Sequence, residues 1–356
     1  MNEDIEEICP PEIPPHAAAN HPQIGAPGLH KLLIRSLHLS QQNSSAMQKI
    51  TPHLWFDKEA KEAARFYTSL FPASRIVNAS VIHDTPSGDC DIISFELWGQ
   101  KFMSISAGPL FTFNPSVSFM VNFDPLFFKE SSSPEKEARK ALDNVWEKLS
   151  EGGKVLMPID EYPFSKQYGW IQDKFGLSWQ LILTNPEGDP KPTIIPSLMF
   201  VDDNAGRAED AMNFYVSVFK DSKRGETHRY GPDQVPDKEG TIMFADFMLE
   251  KSWFAAMDSA REHGFKFNES VSFMVKCQTQ KQIDYYWEKL SAVPEAEQCG
   301  WLKDKFGLSW QVVPESMDEM MPDEDPQRVA RVTEAFLKMK KFDLAELENA
   351  YQGVPS

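Results

Sequence analysis

Short stretches of the chain alternate apolar and polar residues, and longer stretches repeat apolar residues at helical spacing. Apolar side chains occupy every second position from Ile50 to Phe56 and again from Val117 to Val121, which is typical of strands with one buried face. Between them, apolar residues recur every three or four positions and predict a helix with this buried side: Ala60, Ala63, Ala64, Tyr67, Leu70 and Phe71. Three further strands are predicted at Ile76–Ile82, Ile92–Leu97 and Phe102–Ile105.

The order of strand, helix and about three strands then occurs again. A strand at Val117–Asn122 is followed by a second helix and by a hairpin with strands at Gly169–Gln172 and Leu177–Leu183. The apolar side of this second helix consists of Ala138, Ala141, Leu142, Val145, Trp146 and Leu149. The pattern therefore predicts a βαβββ unit that occurs twice before residue 185.

Motifs from this region return in the same order in the second half of the chain. Ser116–Val121 returns unchanged as Ser270–Val275, and Asp173–Gln180 returns unchanged as Asp304–Gln311. We therefore predict a tandem duplication of an α+β domain, each copy with two paired βαβββ units that form a curved mixed sheet with helices outside. The predicted boundaries are a disordered extension (1–48), domain one (49–184), a Pro/Gly linker (185–192), domain two (193–314) and an acidic stretch with a C-terminal helical tail (315–356).

The tail has an apolar stripe of its own. A helix is predicted from Gln327 to Lys340, and Asp343 is expected to cap a final short helix. The stripe consists of Val329, Val332, Phe336 and Met339. Two interpretations stay open: the stripe packs on its own domain, or it is the contact of a homodimer.

Strand alternation also separates a large apolar face from a smaller, more polar one. The apolar face belongs against the helices, whereas the polar face suggests a pocket in each copy, because buried hydroxyls and amides need partners. A sheet that faces solvent is the alternative. Our candidate ligand-binding residues are His53, Trp55, Ser118 and Gln180 in copy one, and Ser197, Ser272 and Gln311 in copy two.

Composition narrows the classes of partner. A net charge of −17 excludes nucleic acid and anionic membranes as main partners, because phosphate contacts need clustered Lys and Arg. No apolar run is long enough to span a bilayer. The four cysteines form no CxxC pair, which fits a reducing compartment, so we expect a cytoplasmic protein. A mitochondrial location is the alternative, because Lys31 and Arg35 flank an apolar run without acidic residues.

The motifs resemble the PhnB-like branch of the vicinal oxygen chelate superfamily, which includes glyoxalase I and the bleomycin- and fosfomycin-resistance proteins. The resemblance rests on HLWFD, FYxSLF, SVSFMV, WEKL and GWxxDKFGLSWQ, and it covers nearly all of residues 49–314 twice. It also implies that the two copies form a pseudo-dimer within one chain.

The resemblance implies metal-ligand positions, and the residues there depart from the superfamily pattern. These positions are His53, Ser118 and Gln180 in copy one and Ser197, Ser272 and Gln311 in copy two. A catalytic divalent metal prefers imidazole and carboxylate ligands, so both sets are degenerate and we expect no metal. A metal held by His53 and Gln180 is the alternative. Relatives carry a methyltransferase label, but the chain has no Gly-rich GxGxG turn for S-adenosylmethionine.

Two functions remain open. In the first, the protein binds an unknown small molecule in a pocket of each domain. In the second, it is a lyase, isomerase or group-transfer enzyme active only in domain one, with His53 as the candidate catalytic residue. Cys299 is either a packed thiol or a nucleophile.

Overall fold

The computed structural model describes residues 48–185 and 192–354. The disorder and targeting predicted for the N-terminal extension, and most of the predicted linker, lie outside the described residues. Among the described residues, no helix combines the length and apolar character needed to cross a membrane.

Copy one contains the two predicted βαβββ units. The first consists of β1 (Ile50–Phe56), α1 (Ala60–Leu70), β2 (Arg75–Thr85), β3 (Gly88–Leu97) and β4 (Gln100–Ser106). The second consists of β5 (Val117–Phe123), α2 (Pro134–Ser150), β6 (Lys154–Tyr162), β7 (Ser165–Gln172) and β8 (Ser178–Leu183). Strand β6 was not predicted, because it is a sheet edge whose register shifts repeatedly against β7 and whose residues therefore lack alternation.

Copy two repeats this order with one strand fewer. Its elements are β9 (Ile194–Phe200), α3 (Ala208–Val218), β10 (Lys223–Arg229), β11 (Ile242–Leu249), β12 (Ser252–Asp258), β13 (Val271–Cys277), α4 (Gln280–Leu290), β14 (Trp301–Lys303) and β15 (Ser309–Pro314). The tail adds α5 (Met317–Met320), α6 (Pro326–Leu337) and α7 (Leu344–Gln352). Asp343 caps α7 as predicted, because its carboxylate accepts from the amides of Ala345 and Glu346.

The α+β class is confirmed, but the two sheets exchange units between the copies. Sheet I has the order β14-β15-β13-β1-β4-β3-β2, and sheet II has the order β10-β11-β12-β9-β5-β8-β7-β6. Sheet I therefore joins the first unit of copy one to the second unit of copy two, through the antiparallel pair β1–β13. Sheet II makes the reciprocal combination through β5–β9. The expectation that each copy builds its own sheet was wrong.

The apolar faces of both sheets, together with the helices, form one continuous core. Phe102 of sheet I meets Phe119 of sheet II with ring centroids 5.1 Å apart, and the rings of Phe254 and Phe273 make a matching contact at 5.2 Å. These contacts are related by the duplication, so the chain folds as a pseudo-dimer. The opposite face of each sheet carries the polar residues.

A buried carboxylate ties the two sheets together in copy two. Asp304, which follows β14, accepts from the Trp310 indole at 2.9 Å and from the Tyr215 hydroxyl at 2.7 Å. Trp310 belongs to sheet I, whereas Tyr215 lies on α3, which packs on sheet II. Asp173 in copy one accepts from the Trp179 indole at the same distance of 2.9 Å. The repeated DKFGLSWQ motif is thus a structural motif that closes the core.

The tail packs on its own chain. The backbone amides of Cys299 and Gly300, just before β14, donate to Met339 O at 2.8 Å and Lys340 O at 2.7 Å. Helix α6 also contacts β2, so the tail reaches both edge strands of sheet I. Three stripe residues are buried: Val332, Phe336 and Met339. The stripe is therefore not left exposed for the homodimer contact that was the alternative.

Candidate functional site

The polar residues predicted to share a face do so, but they assemble across the copies. In sheet I, His53 of β1 lies opposite Ser272 of β13, and Ser272 lies beside Ser309 of β15. Residues opposite one another on neighbouring strands point to the same side of a sheet. Site I is the cluster His53, Trp55, Ser272, Trp301, Ser309 and Gln311. It draws its imidazole from copy one and its hydroxyls and amide from copy two.

His53 is the most unusual member of site I. It is only 4% exposed, and its Nδ1 has no hydrogen-bond partner among the described residues. The ring stands perpendicular to Trp301, with centroids 5.5 Å apart. Burial, helped by the positive charge of Lys276, lowers the pKa of His53 to about 3. The imidazole is therefore neutral at physiological pH, and a buried ring nitrogen is left to bond a group that residues 48–185 and 192–354 do not supply.

A second buried polar atom of site I also lacks a partner. Ser309 Oγ is fully buried and makes no hydrogen bond within the described part of the chain. Between it and the imidazole, Ser272 Oγ accepts from Gln311 Nε2 at 2.9 Å. Across the three strands, Ser272 has a hydrogen-bond partner, whereas His53 Nδ1 on one side of it and Ser309 Oγ on the other have none among the described residues.

The walls of site I are aromatic and apolar. Trp55 makes edge contacts with Trp301 at 6.0 Å and with Phe111 at 5.1 Å, and its indole is fixed by a 2.8 Å bond to Gly108 O. All three rings are partly exposed. Met103 and Ile105 of β4 lie level with His53 and Trp55 on the same face. Half-buried aromatic and thioether surfaces around a few polar groups are typical of small-molecule sites.

Site II, the matching face of sheet II, is hydrogen-bonded throughout. Gln180 Nε2 donates to Ser118 at 2.7 Å and to Ser197 at 3.4 Å, and Gln180 Oε1 accepts from the Tyr168 hydroxyl at 2.9 Å. The Trp170 indole donates to Ser178 Oγ at 2.7 Å. This face is covered by the apolar side chains Leu156, Met157, Met199, Val201, Tyr162, Phe164, Met257 and Phe265. Site II is therefore packed and satisfied where site I is not.

The structure corrects the predicted grouping of site residues. His53 and Trp55 do not share a pocket with Ser118 and Gln180, because β1 pairs with β13 rather than with β5. Ser197 instead joins Ser118 and Gln180 in site II. Strand alternation places Ser309 on the polar face, and it could also have identified Lys276, which follows Ser272 and Met274 on one face. It could not have identified the partner strand.

The donors of site I do not fit a catalytic divalent metal. His53 is its one imidazole, and its other polar members are two serines and an amide. The charge that acts on the imidazole is the Lys276 cation. Such a set lacks the anionic ligands that hold a divalent ion. No group of three or more His, Cys, Asp or Glu side chains within 48–185 and 192–354 is arranged to hold one either. Gln180, the other predicted metal position, lies in site II.

Cys299 does not have the properties of a nucleophile. Burial raises the pKa of its thiol, whereas an activated cysteine needs a lowered pKa. Its polar contact is a 3.4 Å bond from Gln298 Nε2, and its backbone amide holds the tail. Its role is to pack the tail against β14.

Comparison with known proteins identifies relatives of both copies. The family model described as 3-demethylubiquinone-9 3-methyltransferase matches residues 48–182 and, a second time, residues 192–313. The solved PhnB protein from Bacillus cereus is 39% identical and covers 38% of this chain and 100% of its own, with a TM-score of 0.33. Glyoxalase I from Zea mays is 12% identical over 78% of this chain and 98% of its own, with a TM-score of 0.45. The fosfomycin resistance protein of Listeria monocytogenes is 12% identical over 37% of this chain and 90% of its own, with a TM-score of 0.25. No curated protein matches the chain.

Proposed function

Since the chain belongs to the 3-demethylubiquinone-9 3-methyltransferase family, the PhnB-like branch of the vicinal oxygen chelate superfamily, and carries two tandem copies of its domain, we propose that it binds one small molecule per chain, in site I. The observation that carries this proposal is the buried His53 Nδ1 without a partner, together with the equally unpartnered Ser309 hydroxyl two strands away on the same face. A ligand that donates a hydrogen bond to the imidazole satisfies the first atom, and a polar ligand group beside Ser309 satisfies the second.

Site II serves as the structural counterpart of site I. Its amide and hydroxyls already bond one another, so a ligand would have to break those bonds without gaining new ones. It also lacks the imidazole, because Ser197 stands where site I has His53. This asymmetry replaces the expectation of one pocket in each domain.

The protonation state of His53 supports ligand binding better than it supports acid–base catalysis. Proton abstraction at neutral pH is most efficient for a base whose pKa lies near the operating pH. With a pKa of about 3, the His53 imidazole is a weak base, but its neutral ring still offers one donor and one acceptor nitrogen for a ligand. The proposal therefore keeps His53 as a ligand-binding residue and does not assign it proton transfer.

Native mass spectrometry of the protein purified from its own host tests the proposal. We expect one bound molecule per chain in the wild type and in Ser197→Ala, which alters only site II. We expect His53→Ala to bind the recovered molecule about tenfold more weakly, since one hydrogen bond to a buried acceptor contributes roughly 1–1.5 kcal/mol. Two molecules per chain, or binding that is unchanged in His53→Ala, would contradict the proposal.

A further inference from the structure

Lys276 is a buried cation on the face that forms site I. It follows Ser272 and Met274 along β13, so its side chain leaves the sheet on the same side. Its side chain is only 10% exposed. Its charge also acts on the His53 imidazole, so the two groups belong to one electrostatic environment. A buried ammonium group requires a counter-ion.

The tail supplies that counter-ion. Lys276 Nζ forms an ion pair with the carboxylate of Asp318, on the short helix α5. Asp318 itself is half exposed, with 52% of its side chain accessible. The carboxylate thus reaches a buried cation from outside, and solvent can hydrate Asp318 when a ligand carboxylate replaces it at Lys276.

The corresponding position in sheet II has no cation. Asn122 stands there, and its amide donates to Pro192 O at 2.9 Å. The buried positive charge is therefore particular to the sheet whose imidazole and Ser309 hydroxyl are unsatisfied. A charge that is absent from the hydrogen-bonded site II and present in the unsatisfied site I fits ligand recognition.

We propose that the ligand of site I is a small carboxylic acid with a partly aromatic body, whose carboxylate pairs with Lys276 in place of Asp318 while its other end donates a hydrogen bond to His53 Nδ1. Asp318 is the internal stand-in for that carboxylate, which explains why a cation is tolerated at this depth in the absence of ligand. The ligand body lies against Trp301, Trp55 and Met274. This inference rests on the proposed function of site I and adds the charge of the ligand to it.

The test compares acids with their uncharged primary amides. Titration calorimetry and ligand-observed NMR would use 4-hydroxyphenylacetate, 3-(4-hydroxyphenyl)propanoate and 4-(4-hydroxyphenyl)butanoate, each beside its amide, on the full chain. We expect at least one acid to bind wild type tenfold or more tightly than its amide. Lys276→Met should remove that preference and leave amide binding unchanged.

Asp318→Asn provides a second variant, in which an amide of the same size replaces the half-exposed carboxylate. Removing the internal competitor should strengthen acid binding several-fold and leave the amides unaffected. Lys174→Met is the matched control: this cation pairs with Glu62 of α1 at 2.8 Å, outside site I, so its loss should leave the preference for acids intact.

The outcomes separate this inference from the proposed function. Equal binding of acid and amide in wild type overturns the inference, and the proposed function survives if His53→Ala weakens both. Acid preference that persists in Lys276→Met, with no gain in Asp318→Asn, also overturns it. If none of the six probes binds wild type, the inference is overturned, and native mass spectrometry then decides the proposed function separately.

Discussion

Single positions account for the difference between two faces that share the same serine and glutamine row. Gln180 is satisfied because Tyr168 donates to its carbonyl oxygen, and the residue at the matching position of copy two is Cys299, which packs against the tail instead. His53 on β1 stands at the position of the smaller Ser197 on β9. Its Nδ1 finds no hydrogen-bond partner among the serine and glutamine side chains beside it. The exchange of serine for histidine between the duplicated strands β9 and β1 thus introduces one of the two unsatisfied atoms of site I.

The buried imidazole should leave a signature in the pH dependence of stability. The pKa of His53 is about 3 in the folded chain and about 6.5 in the unfolded chain, so the unfolded chain binds more protons between these values. The contribution of His53 to the free energy of unfolding is complete above pH 6.5 and is lost as the pH falls toward 3. At pH 5 the loss is about 2 kcal/mol, from roughly 1.4 kcal/mol for each pH unit below 6.5.

Urea unfolding at pH 7.5 and pH 5.0 measures this loss, with His53→Gln as the control that cannot titrate. We expect the free energy of unfolding of wild type to fall by about 2 kcal/mol more than that of the variant over this interval. Equal losses in the two proteins would mean that His53 is protonated in the folded chain, against the buried, neutral ring described above.

At the scale of elements, the sequence predicted which face of a strand each side chain occupies, because periodicity controls it. It did not predict which strands pair, because that depends on residues far away along the chain. Alternation placed His53 and Ser272 on polar faces and Leu54 and Trp179 in the core, as the structure has them, because the pleat fixes each side chain relative to its neighbours. The partner of β1 is set by contacts more than 200 residues away along the chain, to which local spacing is blind. The predicted site residues therefore lie on the polar faces, but the prediction grouped them by copy.

The junction between the tail and β14 gives a prediction at this scale. Gly300 has φ +81, and a Cβ there would lie 2.6 Å from the ring of Phe342 in the tail. Gly307 has φ +83 and nothing within 4 Å of a built Cβ, so it is a matched control for backbone strain alone. Gly300→Ala should therefore cost about 1–3 kcal/mol more than Gly307→Ala, because of overpacking against the buried Phe342 ring.

Chemical denaturation of both variants gives the two free energies, and limited proteolysis reports whether the tail has been released. Faster cleavage after residue 315 in Gly300→Ala, but not in Gly307→Ala, is the expected pattern. If both alanines have the same cost, the tail is not seated on β14 as the backbone bonds of Cys299 and Gly300 indicate.

For the whole molecule, duplication and exchange make each copy dependent on the other. Each copy contributes its first unit to one sheet and its second unit to the other. The copies also exchange matching side-chain bonds: Asn114 donates to Lys266 O at 3.0 Å, and Asn268 donates to Thr112 O at 2.9 Å. Covalent linkage keeps the two halves at high effective concentration and fixes the pairing of β1 with β13. Asymmetry between the sites follows, because linked copies can diverge while always meeting the same partner.

Separating the copies should therefore change both assembly and site composition. Residues 48–185 alone would leave the edges of β1 and β5 without partners, and exposed apolar edges associate. We expect this fragment to form a homodimer in which β1 of one molecule pairs with β5 of another, which sets His53 opposite Ser118. Co-expression with residues 192–354 should instead restore a one-to-one complex with His53 opposite Ser272. Native mass spectrometry and light scattering distinguish these states. A folded monomer of either fragment would contradict the exchange, because a single copy can close neither sheet unless β1 pairs with β5 of the same copy.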